Sequence, residues 1–501
     1  MKSVRIFWLL AVGAFGVLGA AAVWMGGLNQ DEGWYLYAAN LVAEGKMLYR
    51  DFFYTQGPEM PRVYGFFTWI WARWGLLGAR VFTLAIGFAG IVLAAGLARH
   101  LAPEGRKGDA ALVTFLLLGC NLYHLYYVAI PKTYALASLF AMIGFFLLSV
   151  GRKPCFPLIA GLALAYAAGT RISLGALLCV AGVWLLWTRQ WKTLVWFCVG
   201  GIGGLALVYG PYLCDSDARA GLLAAQQYHA ARGGFDVTWV VGSVSRLVRW
   251  YLPVFVVLGL GVGAWMAKDK GQRREDKGKG SPVVVLYAFL AVFAVQMLAP
   301  FPYEDYQVPV MALLAVYAAV LFVSNHAIEQ SNIRTIEHSN NFTLLLVLGL
   351  CFANSFGSPL LEKWSVNGQD RFWSLKKEKF ELVQLRDVAR RIEALDPGGK
   401  ELLTQDLYLA IETGRKVPKG LEMGPFAMLT DEEWRKLLGF ASCEVAALSG
   451  YAFAIEPPVC KERPVDRQME YWSILKRNYK LEEREDAFGQ NATPLLILKR
   501  K

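Results

Sequence analysis

Two adjacent carboxylates, Asp31 and Glu32, follow a long apolar segment that runs from about Phe7 to Gly27, and the aromatic stretch Gly33-Trp34-Tyr35-Leu36-Tyr37 comes next. A carboxylate at such an edge can take a proton from a hydroxyl. It can also do no more than cap a helix that starts there, with its neighbour favoured by the helix dipole. Cations stand in comparable places: Arg171 follows Ala167-Ala168-Gly169-Thr170, and Lys132 lies in Ile130-Pro131-Lys132-Thr133-Tyr134. An unpaired charge at the end of an apolar run is costly and points to a bound anion, unless the side chain merely snorkels to the membrane surface. A base and cations for a leaving anion are the parts needed for group transfer from a phosphate. Two further clusters are candidate contacts for substrate hydroxyls. Tyr303-Glu304-Asp305-Tyr306 follows Pro300-Phe301-Pro302, where an aromatic belt with a solvated acidic turn is the plainer explanation. Tyr228-His229 lies between about Cys214 and Arg246, a stretch long enough for a mobile lid.

The elements that must hold these residues are apolar helices. The chain has 501 residues, 55% of them hydrophobic and 18% charged, against ~25% charged in ordinary soluble domains; its mean hydropathy is +0.36. Runs long enough to cross a bilayer, ~18 residues or more, begin near Phe7, Ala79, Ala110, Pro131, Phe156, Ile172, Thr193, Leu247, Val283, Tyr306 and Asn341, about eleven in all. Lys2 and Arg5 precede the first, and Ala20-Ala21-Ala22 resembles a cleavage site, but the run continues through Val23-Trp24-Met25, which reads as a retained anchor.

Basic residues set the orientation. With the N-terminus in the cytoplasm, Lys2, Arg5, Arg99, Arg106, Lys107, Arg152, Lys153, Arg189, Lys192, Arg334 and the cluster from Lys268 to Lys279 all face inward. The net charge of +11 therefore reads as topology and contact with anionic lipid, not as nucleic-acid binding. Asp31 and Glu32 fall outside, in a first outer loop over residues 28–78 that also holds Lys46, Arg50, Arg62, Arg73 and, just beyond, Arg80. Within it, Pro61 to Trp74 is too short and too charged to span. It reads as an interfacial helix with Trp69, Trp71 and Trp74 at headgroup depth.

The expected architecture is a polytopic α-helical membrane protein: a transmembrane domain over 1–358 and a small external α/β or α+β soluble domain over 359–501. In that second part, Leu385, Val388, Ile392 and Leu395 follow helical spacing, Asp396-Pro397-Gly398-Gly399 stops the helix, and short apolar runs follow at Glu401–Thr404, Val445–Leu448 and Leu495–Leu498. Of the eight cysteines, only Cys443 and Cys460 lie there, and they are a candidate disulfide.

Absent motifs narrow the chemistry. There is no Gly-x-x-x-x-Gly-Lys loop and no His-Glu-x-x-His, and the five histidines are scattered. A divalent metal is compatible with the acidic pair but not indicated by it. Gly200-Gly201 and Gly203-Gly204 read as close helix packing inside a span. Without a device for cytoplasmic nucleotides, an external enzyme needs a donor already carried across the membrane.

The first outer loop reads Asn29-Gln30-Asp31-Glu32-Gly33-Trp34-Tyr35-Leu36-Tyr37, then Leu41-Val42-Ala43-Glu44-Gly45-Lys46 and Tyr49-Arg50-Asp51-Phe52-Phe53-Tyr54-Thr55-Gln56-Gly57-Pro58, with Ala79-Arg80-Val81-Phe82 opening the next span. This resembles the GT-C superfamily of membrane glycosyltransferases, in its protein O-mannosyltransferase and aminoarabinose transferase (family 39-like) branch. The resemblance covers residues 1–320 in layout and is most specific over 29–83. It implies a hexosyl or pentosyl transferase in the cytoplasmic membrane that takes sugar from a polyprenyl-phosphate donor to a lipid, glycan or protein acceptor on the external face. It makes Asp31 the base, Glu32 a second candidate or acceptor-positioning group, and Arg171 and then Lys132 the donor-phosphate contacts. On a helix from Asp31, Trp34, Ala38, Leu41 and Val42 share one face that suits a lipid surface. The chain departs from the family in one place: Gln56-Gly57-Pro58-Glu59 stands where Lys-Pro-Pro is expected, so no phosphate contact is implied there. Two other classes use similar layouts. A lipid-linked glycan flippase would favour internal repeats, which the halves lack, and a polysaccharide ligase or polymerase would concentrate arginines in a late outer loop.

Overall fold

The computed structural model describes residues 2–151, 153–231, 234–267, 282–325, 333–360, 380–427, 429–440, 442–450, 465–490 and 492–501. The basic cluster from Lys268 to Lys279 and Cys460 lie outside the described residues.

The chain opens with α1 (Lys2–Met25), α2 (Gln30–Ala43), α3 (Glu59–Gly65), α4 (Thr68–Leu101), α5 (Lys107–Gly119), α6 (Leu122–Ala129), α7 (Thr133–Val150) and α8 (Cys155–Thr170). A 3-10 turn, Ile172–Leu174, leads into α9 (Gly175–Trp187), followed by α10 (Trp191–Cys214), α11 (Ser216–Ala230), α12 (Val237–Trp250) and α13 (Leu252–Ala267). Then come α14 (Val283–Met297), a 3-10 turn at Glu304–Gln307, α15 (Val308–Asn325) and α16 (Ile333–Phe356). Among the described residues, five helices are long and apolar enough to cross a membrane, or up to seven if the bent pairs α5–α6 (70°) and α12–α13 (84°) each form one span. Shorter apolar helices occupy the other expected places, so every anticipated span is helical.

The region after residue 380 is α+β, not α/β, because its strands pair antiparallel. It holds α17 (Glu381–Leu395), α18 (Leu407–Thr413), α19 (Asp431–Phe440) and α20 (Val465–Asn478) beside β1 (Val445–Ser449), β2 (Tyr479–Phe488) and β3 (Thr493–Arg500). The sheet order is β1-β3-β2, all antiparallel. The expected helix over Leu385–Leu395 is α17, which ends at Asp396, and Gly398 adopts φ 71° in the turn beyond. Glu401–Thr404 makes only isolated bridges, Glu401 to Lys416 and Leu403 to Ala446. Cys443 is buried, and burial pushes its thiol up to about 12.

Two apolar cores organise the molecule. One is built from the long helices α1, α4–α10 and α12–α16. The other joins α2, α3 and the start of α4 to the C-terminal region, with Trp34, Tyr35, Tyr64 and Trp71 packed among Leu385, Leu403, Tyr408 and Leu496. This changes two expectations. Trp34 and Ala38 do not lie on lipid but are buried under protein, Trp34 against Tyr54 and Phe426. Trp71 is buried too and donates its indole N–H to Asn40 Oδ1 at 2.8 Å, while Trp69 and Trp74 stay exposed. The second core forms because α18 crosses α2 so closely that a Cβ on Gly33 would overlap the Tyr408 backbone.

The stretch from Cys214 to Arg246 is not an open lid: α11 and α12 fill most of it. Asp236 caps α12 by accepting from Thr238 and Trp239, and Arg246 is tied to Glu304 at 3.0 Å.

A candidate active site between the first loop and the helical bundle

Asn29, not Asp31, caps α2. Its Oδ1 accepts from the Asp31 amide at 3.1 Å, and its own amide donates to Glu32 Oε1 at 2.9 Å, closing a capping box. The cap thus leaves the Asp31 carboxylate uncommitted and commits Glu32.

Glu32 is wholly buried against an equally buried Arg80. The guanidinium meets the carboxylate in a fork, Nε to Oε2 and NH2 to Oε1, each at 2.7 Å. Its remaining N–H groups donate to the carbonyls of Val23, Gly26 and Gly27 at 2.8–3.1 Å, the loose end of α1. This arrangement fastens α1, α2 and α4 together. It leaves Glu32 no exposed surface from which to act as a base, so its expected catalytic role gives way to a structural one.

Asp31 points elsewhere. Its Oδ2 lies 2.9 Å from Lys132 Nζ, and the Asp31 side chain is 27% exposed. Lys132, in the turn between α6 and α7, also reaches Asp305 Oδ2 at 3.4 Å. That same oxygen accepts from the Tyr134 hydroxyl at 2.7 Å. The Arg171 guanidinium lies over the rings of Tyr134 (4.9 Å) and Tyr306 (4.7 Å) and donates to Thr133 Oγ1 at 3.1 Å. Among the described residues its buried Nε has no hydrogen-bond partner. A sequence spread over residues 31–306 therefore converges on one alternating cluster of acids, cations and tyrosines.

Arg171 and Tyr306 also line a cavity of about 310 Å³, with Thr55, Gln56, Ser173, Gln296 and Tyr303. Asp31 and Lys132 are not in its lining; they connect to it through Asp305, Tyr134 and Arg171. Of the anticipated residues, the structure brings together Asp31, Lys132, Arg171, Asp305 and Tyr306, with Tyr303 on the cavity wall. Glu304 is turned to Arg246. Tyr228 meets Phe53 edge-on at 6.2 Å, and His229 lies on α11. Among the described residues, no three His, Cys, Asp or Glu side chains are grouped to hold a metal ion.

The sequence quoted Thr133 and Tyr134 without giving them a task, and it missed Gln296 altogether. Gln296 is the single amide in the apolar helix α14, which was the available signal.

The C-terminal region holds α2 from the other side. Gln30, next to Asp31, donates through Nε2 to Asp406 Oδ1 at 2.8 Å, and its amide donates to Gln490 Oε1 at 2.9 Å. Tyr408 donates to the same Asp406 oxygen at 2.8 Å. The Tyr37 hydroxyl accepts from the Val417 amide at 3.0 Å, and Glu381 accepts from the Leu28 amide at 2.6 Å.

No protein-family model matches this chain, and no curated protein does. Among solved structures, ArnT from Cupriavidus metallidurans bound to undecaprenyl phosphate superimposes with a TM-score of 0.61, at 14% identity, over 98% of this chain and 97% of that one. The chain has the ArnT fold. The apo form of ArnT gives 0.59 at 13% identity, over 99% and 98% of the two chains. The likeness in fold runs along the whole length, the C-terminal region included, because the ArnT alignment leaves almost nothing of either chain uncovered.

Proposed function

We propose that this chain is a glycosyltransferase that moves a hexosyl or pentosyl unit from a polyprenyl-phosphate donor to an acceptor hydroxyl on the external face of the cytoplasmic membrane. The observation that carries this is the Asp31–Lys132 pair beside Arg171, whose buried Nε has no partner among the described residues. The solved structure with the same fold holds a polyprenyl phosphate, which supports a lipid phosphate as the natural partner for these cations.

In this mechanism Asp31 takes the proton from the acceptor O–H. The acceptor oxygen bonds to the sugar anomeric carbon as the bond from that carbon to the phosphate oxygen breaks. Lys132 and Arg171 stabilise the negative charge left on the lipid phosphate. Lys132 has a second part. At rest its ammonium is shared by Asp31 and Asp305. A donor phosphate gives it another anion and frees Asp31 Oδ2 for the acceptor. Thr133 holds Arg171, and Tyr134 holds Asp305, the second carboxylate on Lys132. The architecture proposed with this function has about eleven spans, a cytoplasmic N-terminus and the region after residue 380 outside.

The test is transfer of radiolabelled sugar from glucosyl undecaprenyl phosphate in proteoliposomes, against a panel of lipid, glycan and peptide acceptors. Transfer that disappears in Asp31→Asn supports the proposal. Translocation of the lipid without transfer, unaffected by that substitution, would replace it with a flippase.

A further inference from the structure

Gln296 stands apart in α14, whose other residues are all apolar or aromatic. It is 3% exposed. Its Nε2 donates to Ser173 Oγ at 3.0 Å, and its Oε1 is buried with no partner among the described residues. Both side chains line the cavity that also holds Arg171, and Ser173 sits only two residues after that arginine. A buried amide atom without a hydrogen bond is expensive, and in an apolar helix a polar side chain calls for a functional partner.

From this juxtaposition we infer that Gln296 and Ser173 form a carbohydrate subsite that reads a hydroxyl of the donor's sugar while Arg171 holds its phosphate. The inference rests on the donor reading above and adds which part of the donor the cavity recognises. The ligand class follows from the amide's chemistry. With Nε2 on Ser173, Oε1 needs a donor; with the amide turned over, Ser173 donates to Oε1 and Nε2 needs an acceptor. A sugar hydroxyl answers either need, because it both donates and accepts. A hydrocarbon chain answers neither. The cavity's size agrees: about 310 Å³ lies at the small end of ligand sites, which suits a headgroup and not a long polyprenyl tail. The nearly parallel rings of Phe301 and Tyr303, 6.3 Å apart, add an apolar wall on the same side.

The experiment measures binding of two probes to the full chain in nanodiscs. One is glucosyl undecaprenyl phosphate; the other is undecaprenyl methyl phosphate, which has the same single charge and lipid but no sugar. The native protein should bind the glucosyl probe about tenfold more tightly. Gln296→Met should erase that preference while leaving affinity for the methyl probe unchanged. Ser173→Ala, a milder change that frees the amide to turn, should reduce the preference and covers the case in which Gln296→Met fails to fold. Arg171→Ala should weaken both probes together. Equal losses for both probes in Gln296→Met and Ser173→Ala, no loss for either, or a native protein that binds both alike would overturn the subsite and leave the donor reading standing. A native protein that binds neither probe would overturn both.

Discussion

Two charged centres lie within one turn of each other on α2, and they are built in opposite ways. Around Arg80 every carboxylate oxygen and nearly every guanidinium N–H is engaged, with both side chains wholly buried. Around Lys132 the bonds are longer and shared, Asp31 is partly exposed, and the neighbouring Arg171 keeps an unused nitrogen. A closed centre has nothing left to offer a substrate and serves to fix backbone. An open centre has protein partners that a substrate can replace. Adjacency in sequence says nothing about which is which; what decides it is whether the polar groups around each carboxylate have been used up.

The strongest way to break this contrast is at the closed centre. Glu32→Ala leaves Arg80 buried and unpaired, which costs about 3–5 kcal/mol, and the expected result is loss of folded protein in a thermal melt in detergent. If the variant melted like the parent and lost only transfer, Glu32 would belong to the chemistry. Next comes Asp31→Asn, which leaves the Asn29 cap intact. It should melt like the parent while transfer falls by about 10²–10⁴. A normal rate would remove Asp31 as the base. Lys132→Met and Arg171→Ala should each weaken binding of undecaprenyl phosphate by about tenfold to a hundredfold, the range for hydrogen bonds to charged groups. Arg171→Lys should restore only part of it, because an ammonium lacks the planar face stacked between Tyr134 and Tyr306. Unchanged affinity in Arg171→Ala would leave Lys132 as the sole phosphate partner.

The smallest effect expected is at Asp406, under α2. Burial holds its carboxyl above the usual carboxylate range, against hydrogen bonds from Gln30, Ser449 and Tyr408 that favour the charge. The folded chain therefore keeps this proton at a pH where the unfolded chain has released it, so stability falls as pH rises above about 4. Asp406→Asn retains an acceptor for Gln30 and removes that slope. Its melting temperature should match the parent's at pH 4 and exceed it at pH 8; parallel curves would show that the buried charge is fully compensated.

The long helices were legible because apolar runs of membrane length have few other uses. Asp31, Lys132 and Arg171 were legible for the complementary reason, as charges where apolar runs end. The contacts that sort them were not. Glu32 and Arg80 are 48 positions apart, and nothing in either segment announces the other. The aromatic face of α2 looked suited to lipid because Trp34 and Ala38 fit any apolar neighbour; Trp34 instead meets Tyr54 and Phe426, α18 packs on Gly33, and Gln30 bonds Asp406, 376 positions on. Strand β2 escaped notice because Tyr479 and Phe488 are buried only at its ends, with Lys480-Leu481-Glu482-Glu483-Arg484-Glu485-Asp486 mostly turned to solvent between them. Such a charged edge resists pairing with other chains and hides its own period.

The strand order β1-β3-β2 has a consequence for biogenesis. The central strand, Thr493–Arg500, is the last of the three to be synthesised, so until it leaves the ribosome β2 lacks its strand partner and β1 has only its bridge to Leu403. Gln490, which holds the first turn of α2, lies three positions before the start of that strand. The loop bearing Asp31 is thus inserted early and braced late. A nascent chain stalled before residue 493 should expose the region after residue 380 to protease and show no transfer, and resumed elongation through the strand should restore both. Protease resistance in the stalled chain would show that the brace forms without its central strand.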